Sequence, residues 1–241
     1  MNEVPGRCQC LPLKNACPNL CIPGEAFCDD HRLCPRKAPL SGSEPDYDPD
    51  LWNLKKAIRL THNCFSYAFN IFDKKQVDAC FKSKTCDTAF HQPGHAYKKF
   101  NDTDPKTCPN MIARIMGDNP NDLEPSRFDK KCPKGMSKIA LVVDENQDYH
   151  FLRQDSNGYF SQKGGSQPVT DKDALGNKIF DVELACHNYV DKNGYLNYDR
   201  SCGYFCLTRN KPLFAKVGGR RITRRGKEKK ATRVYSLESL F

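Results

Sequence analysis

From Lys138 to Gly165 the chain alternates strand-like runs with turns, and this stretch constrains the fold more than any other. The runs are Lys138 to Val143, Gln147 to Gln154 and Tyr159 to Lys163, separated by turns near Asp144-Glu145-Asn146 and Ser156-Asn157-Gly158. Short runs joined by tight turns read as an antiparallel meander. Ile139, Leu141 and Val143, then Tyr149 and Phe151, alternate as half-buried strands do, which puts His150 on the face opposite Tyr149 and Phe151. The second turn decides the register. A two-residue Asn157-Gly158 turn pairs Arg153 with Gln162 and sends Gln162 away from His150. A three-residue Ser156-Asn157-Gly158 loop, with Gly158 left-handed, pairs Leu152 with Gln162 and makes His150 its diagonal neighbour.

Upstream, Cys64 to Phe72 reads Cys-Phe-Ser-Tyr-Ala-Phe-Asn-Ile-Phe, apolar on nearly every face, the pattern of a buried central helix. Thr61 and Asn63 are good N-cap residues, so Cys64 falls in the first turn, where unpaired backbone N–H groups and the positive dipole end favour a thiolate. The alternative is an inert buried thiol packed as a small hydrophobe.

The order of these elements resembles NlpC-like, papain-fold cell-wall peptidases and amidases, in which a helix-start Cys pairs with a strand His and a third polar residue on the next strand. The matching positions are Cys64, His150 and Gln162. The chain is more similar still to an uncharacterised group of bacterial, phage and viral proteins. The residues that carry this resemblance are Asn63 to Ala68, Gln92-Pro93-Gly94, Asp148-Tyr149-His150, Asp155 to Gly158, Pro168-Val169-Thr170 and Cys202 to Cys206, in the same order over roughly residues 61 to 207. Phe65 stands in place of a Tyr, Phe160 in place of a Trp and Gln162 in place of a His. A glutamine can hold the imidazole ring by accepting from its N–H, but it cannot stabilise an imidazolium by charge. The resemblance therefore implies an α+β, papain-like domain, an antiparallel meander packed on a central Cys-bearing helix, with a slower enzyme or none.

Residues 8 to 34 contain seven metal-competent side chains: Cys8, Cys10, Cys17, Cys21, Cys28, His31 and Cys34. Zinc takes four such ligands in a tetrahedron. Cys28 and His31 supply two from one turn, Cys17 lies eleven positions back across a Pro23-Gly24 turn, and Cys8 or Cys10 completes the set. The run resembles a motif of three cysteines and one histidine that recurs in proteins of large DNA viruses. So short a segment cannot build an apolar core, and a structural zinc ion would supply its folding energy. A disulfide-stapled loop is the alternative.

The chain has fourteen cysteines, and its first residues show no basic start followed by an apolar run. Without an export signal or an apolar run of the roughly 18 residues needed to span a bilayer, the expectation is a soluble chain in a reducing host cytoplasm, with a virion as a second destination. Thiols there stay free or bind metal. Cys80, Cys86, Cys108 and Cys132 have irregular spacings and read equally as buried thiols or disulfides. Cys202 and Cys206, an even distance apart on a late strand, are expected on one face. His95 reads as a loop residue, and Asp148 and Asp155 as turn formers or as substitutes for Gln162.

The domain expectations are a zinc module over 1–35, a linker over 36–50 rich in Pro, Ser, Asp and Gly, the papain-like domain over 51–212, and a basic tail over 213–241. Lys216 to Arg233 holds nine Lys and Arg against the single Glu228, nearly all of the net +9. Such a segment orders only against a partner, either nucleic acid bound without sequence reading or an acidic protein surface. The apolar end, Val234 to Phe241, reads equally as a docking peptide or a solvated tail.

Two functions follow. The first is a virus-encoded cysteine hydrolase of peptide or amide bonds, with Cys64 as nucleophile, His150 as base, Gln162 as orienter and helix-start N–H groups as oxyanion hole. The second is a structural, capsid-associated protein that keeps the fold and binds neighbours through its zinc segment and tail.

Overall fold

The computed structural model describes residues 6–10, 15, 17–34, 36, 38–83, 86, 90–98, 101, 103–191 and 194–209. The basic tail and the apolar chain end lie outside the described residues.

Among the described residues, five α-helices precede the sheet: α1 Pro49–Asn53, α2 Lys56–Thr61, α3 Cys64–Ala68, α4 Lys74–Ser83 and α5 Cys108–Asp118. The strands are β1 Leu123–Ser126, β2 Met136–Asp144, β3 Asp148–Gln154, β4 Phe160–Lys163, β5 Val169–Thr170, β6 Asn188–Asp191, β7 Gly194–Asn197 and β8 Arg200–Thr208. Six of them form one sheet in the order β1-β8-β2-β3-β4-β5, with β6 and β7 as a separate hairpin, and every pairing between these strands is antiparallel. The class is α+β. The β2-β3-β4 meander lies where the alternation places it.

The turn between β3 and β4 takes the three-residue form. Asp155 N donates to Tyr159 O at 2.9 Å, Gly158 has φ +89°, and Leu152 pairs with Gln162. Gly158 supplies the left-handed conformation such a loop requires.

The central helix is shorter than its apolar pattern suggests. It ends at Ala68 because Asn70 adopts φ +54° and closes a Schellman motif, with Ile71 N donating to Ser66 O at 2.8 Å and Asn70 N to Tyr67 O at 3.2 Å. Phe69, Ile71 and Phe72 are buried all the same, beyond the helix.

Both faces of the sheet are covered, so the strands are not half-solvated as the alternation implied. On one face Phe65 and Phe69 around α3, with Met111 and Ile115 of α5, pack on Ile139, Leu141, Val143, Tyr149, Phe151, Phe205 and Leu207. On the other, Phe128, Ile179, Val182 and Tyr198 pack on Ala140, Val142, Leu152, Phe160 and Tyr204. Two apolar layers against one sheet explain why β2 is buried from Ser137 to Asp144.

Four disulfides staple this core: Cys10–Cys34, Cys80–Cys86, Cys108–Cys202 and Cys132–Cys206. These eight cysteines are oxidised, against the expectation of a reducing compartment; for Cys80, Cys86, Cys108 and Cys132 the disulfide was one of the two readings left open. Cys202 and Cys206 do not share a face. The β2–β8 register skips Cys202, pairing Leu141 with Gly203 and Val142 with Ser201, and this bulge reverses the alternation. Cys202 therefore joins the helix-side cluster, bonded to Cys108 at the start of α5, while Cys206 bonds Cys132.

The segment expected as a linker is strapped across the domain. Gln154 Nε2 donates to Ala38 O at 2.8 Å, Gly135 N to Ser43 Oγ at 3.0 Å, and Arg153 Nη2 to Asp46 O at 3.0 Å. The N-terminal segment is latched by Gln9, whose buried carboxamide accepts from Phe180 N at 2.7 Å and Asp181 N at 2.9 Å and donates to Lys178 O at 2.9 Å.

Candidate functional site

Cys8, Cys17, Cys28 and His31 gather their ligand atoms within 4.8 Å of one another. A short antiparallel bridge between Arg7 and Leu20, closed by Cys8 N to Asn19 O at 3.0 Å, brings Cys8 beside Cys17. The Ile22–Phe27 turn returns the chain so that Cys28 faces them, and His31 follows on a 3-10 turn, its N–H on Cys28 O. His31 Nδ1 lies 3.2 Å from Cys28 Sγ and 3.5 Å from Cys8 Sγ, and the Cys17 and Cys28 sulfurs are 4.0 Å apart. A tetrahedron with metal–sulfur and metal–nitrogen bonds of zinc length has edges of about 3.8 Å and about 3.5 Å. The four residues thus fit a tetrahedral ion, and the set can hold a metal.

The thiols are electrostatically uneven. Burial pushes Cys28 up, but hydrogen bonds with Cys8, His31 and Cys17 outweigh it and bring the thiol down to about 7. Burial dominates at Cys8 and raises it to about 11. Cys10, expected as an alternative fourth ligand, is not one, because its sulfur is bonded to Cys34. Cys21 is also outside the set: its buried thiol, pushed up to about 12 chiefly by burial, donates to Arg7 O at 3.0 Å.

The second candidate centre joins β3 and β4. His150 Nε2 donates to Gln162 Oε1 at 2.7 Å, and Gln162 Nε2 donates to Lys172 O at 2.5 Å and to Tyr189 Oη at 2.8 Å. The amide is therefore fixed with its oxygen on the imidazole, which makes His150 the Nε2–H tautomer. His150 stacks on Tyr198, centroids 5.2 Å apart, and burial brings the imidazole down to about 4, against the opposing bond from Gln162. Neither carboxylate considered as a substitute orienter reaches it: Asp155 accepts from Arg153 Nε at 2.9 Å and Asp148 from Tyr198 Oη at 3.0 Å.

Cys64 is at the start of α3, with Asn63 Oδ1 capping Ser66 N at 3.0 Å. Its sulfur meets β3 beside His150, 3.9 Å from Tyr149 O, but no hydrogen bond links it to the imidazole. Cys64 packs in the helix-side cluster with Tyr149 and Phe151, whereas the His150 ring lies on the opposite face against Tyr198. The expected thiolate is not favoured: burial, then the nearby Asp148 carboxylate, pushes the thiol up to about 12. Five residues of helix offer too little dipole to reverse that.

Among the buried basic side chains that escaped the sequence reading is Lys163, which burial brings down to about 7. Lys163, fully buried at the end of β4, donates through Nζ to Arg59 O at 2.7 Å, His62 O at 2.6 Å and Gly165 O at 2.6 Å. Its three donors are satisfied by backbone, and it ties β4 to the segment entering α3. A lysine ending a strand next to Gly164-Gly165 carried no signal of this.

Together these features define a disulfide-stapled α+β domain with a three-cysteine, one-histidine cluster clamped to its rim. The chain is 30% identical over 152 residues to insoluble matrix shell protein 1 of Ruditapes philippinarum, covering 62% of this chain and 87% of that relative, and it belongs to the family of that protein. No family model matches the chain, and no solved structure matches it.

Proposed function

We propose that this is a structural protein of an extracellular matrix, in which a papain-like scaffold serves as a rigid building block and not as an enzyme. The observation that carries the reading is the set of four disulfides, two of which anchor β8 to α5 and to Cys132. Disulfides form and persist in oxidising compartments. The relative from Ruditapes philippinarum, an insoluble matrix shell protein, supports the same assignment. Among the described residues no helix is long and apolar enough to cross a membrane.

In this reading Cys8, Cys17, Cys28 and His31 bind a structural zinc ion that folds the N-terminal segment, since tetrahedral sulfur and imidazole ligands suit zinc. The tail over 213–241 supplies positive charge for acidic partners in the matrix.

One observation favours a second reading, a papain-like amide hydrolase: Gln162 holds His150 through Nε2 and leaves Nδ1 as the ring's acceptor, the tautomer of a base, although the ring lies across β3 from Cys64. Alkylation by iodoacetamide at neutral pH decides between the two. A structural protein alkylates at Cys64 more slowly than a free thiol, and replacing His150 with Ala leaves that rate no lower. Fast labelling of Cys64 that falls on loss of His150 would establish the hydrolase and remove the structural proposal.

A further inference from the structure

The loop ahead of α5 carries a feature that neither the metal cluster nor the His150 centre uses. Asn101-Asp102-Thr103 has the Asn-x-Thr spacing of a glycan acceptor, with Asp at the central position, where only Pro is forbidden. Asn101 and Thr103 are both exposed. Thr103 Oγ1 donates to Asn101 Oδ1 at 2.9 Å, and Thr103 N donates to the same oxygen at 3.2 Å. Two donors on one carboxamide oxygen fix the orientation of the amide, with Nδ2 directed away from Thr103. The remaining restraint on Nδ2 is one exposed bond to Asp104 Oδ1 at 3.0 Å, which water replaces at little cost.

The backbone of Asn101 is anchored while its side chain is exposed. Its carbonyl accepts from Arg114 Nη2 at 3.1 Å and from Asp104 N at 3.2 Å, and α5 begins at Cys108, fixed to β8 by the Cys108–Cys202 disulfide.

We infer that Asn101 is an N-glycan acceptor. The donor class is a lipid-diphosphate-linked oligosaccharide. A bond forms between Asn101 Nδ2 and the anomeric carbon, the bond from that carbon to the diphosphate oxygen breaks, the lipid diphosphate leaves with the electron pair, and one amide proton passes to solvent. No oxidation is involved. The Thr103 hydroxyl takes part by orienting and polarising the carboxamide, which is why the third position of the motif is a hydroxyl. The inference rests on the extracellular reading, because the transfer occurs in the secretory lumen.

The full chain, expressed behind a cleavable secretion signal in cells that perform N-glycosylation, tests this, with both the retained and the secreted fractions analysed. Release by a glycan amidase in heavy-oxygen water is expected to leave labelled aspartate at 101 in wild type and in Thr103→Ser, and none in Asn101→Gln or Thr103→Ala. Thr103 is exposed, so equal near-ultraviolet dichroism of the variants excludes misfolding as the cause. Unmodified Asn101 in chains that have formed their disulfides would overturn the acceptor. Chains that fail to form the four disulfides in that lumen would instead sink the extracellular reading, with the glycan still scored on the same molecules.

Discussion

Gln162 stands across the β3–β4 ladder from Leu152 and reaches diagonally to His150, its carboxamide oxygen 2.7 Å from Nε2. Because both groups are buried, the bond is a structural commitment whatever its chemistry. Gln162→Leu removes the acceptor and leaves a buried N–H without a partner, at a cost of about 1–3 kcal/mol. Gln162→Glu keeps the acceptor and adds charge, which raises the His150 pKa. Urea denaturation and a histidine-resolved NMR titration check the two effects; a Leu variant as stable as wild type would show the bond to be dispensable.

Stability should fall in mild acid, and the sign follows from the buried imidazoles. Burial brings His62 and His150 each down to about 4, below the ordinary value near 6.5, and lowers His187 as well. Between these limits the unfolded chain binds protons that the folded one does not, so stability is fully present above about pH 6.5 and drains away towards about pH 4. His62 and His150 each contribute on the order of 3 kcal/mol. Urea midpoints measured across that window give the slope, and His150→Asn should flatten it. An unchanged slope in that variant would mean that His150 is not held neutral.

Lys163 offers a prediction about the neighbourhood of Cys64. Lys163→Met retains the apolar stem but strands the carbonyls of Arg59, His62 and Gly165, all 2.6–2.7 Å from Nζ in the native protein. Leaving buried carbonyls without a donor costs about 1–3 kcal/mol. Thermal unfolding reads the loss. If the three carbonyls find other donors, the variant will unfold near the wild-type temperature and the tie is not needed.

The meander was legible from its turn residues, but its register was not: Asn157-Gly158 suits a two-residue turn as well as a three-residue loop, and the fold selects the second by pairing Leu152 with Gln162. The cluster that can hold a metal was legible to within one choice, since spacing could not tell Cys8 from Cys10; only the fold, by bringing Cys34 to Cys10, makes that distinction. The disulfides were hidden because partners up to 94 residues apart meet only through the sheet. A bulge at Cys202 likewise leaves no mark in a pattern of period two. The end of α3 was written in Asn70, a residue whose tolerance of positive φ is easily lost inside an apolar run.

The metal cluster can be separated from the adjoining cysteines one residue at a time. If Cys8, Cys17 and Cys28 supply sulfur to the proposed zinc tetrahedron, Cys28→Ser should lower metal content of the purified chain well below one per molecule and remove the thiolate-to-cobalt absorption of the cobalt-loaded protein. Cys21→Ser should leave both unchanged, because that sulfur donates to Arg7 O. Cys10→Ser should also retain the ion while losing the disulfide to Cys34. Chelation should expose the N-terminal segment to protease before the sheet, since Gln9 and a few neighbouring contacts then hold it without the ion. The order of loss is diagnostic: if Cys21→Ser or Cys10→Ser abolishes the cobalt band as fully as Cys28→Ser, the ligand set is not Cys8, Cys17, Cys28 and His31, and the geometry of those four side chains would have to serve packing alone.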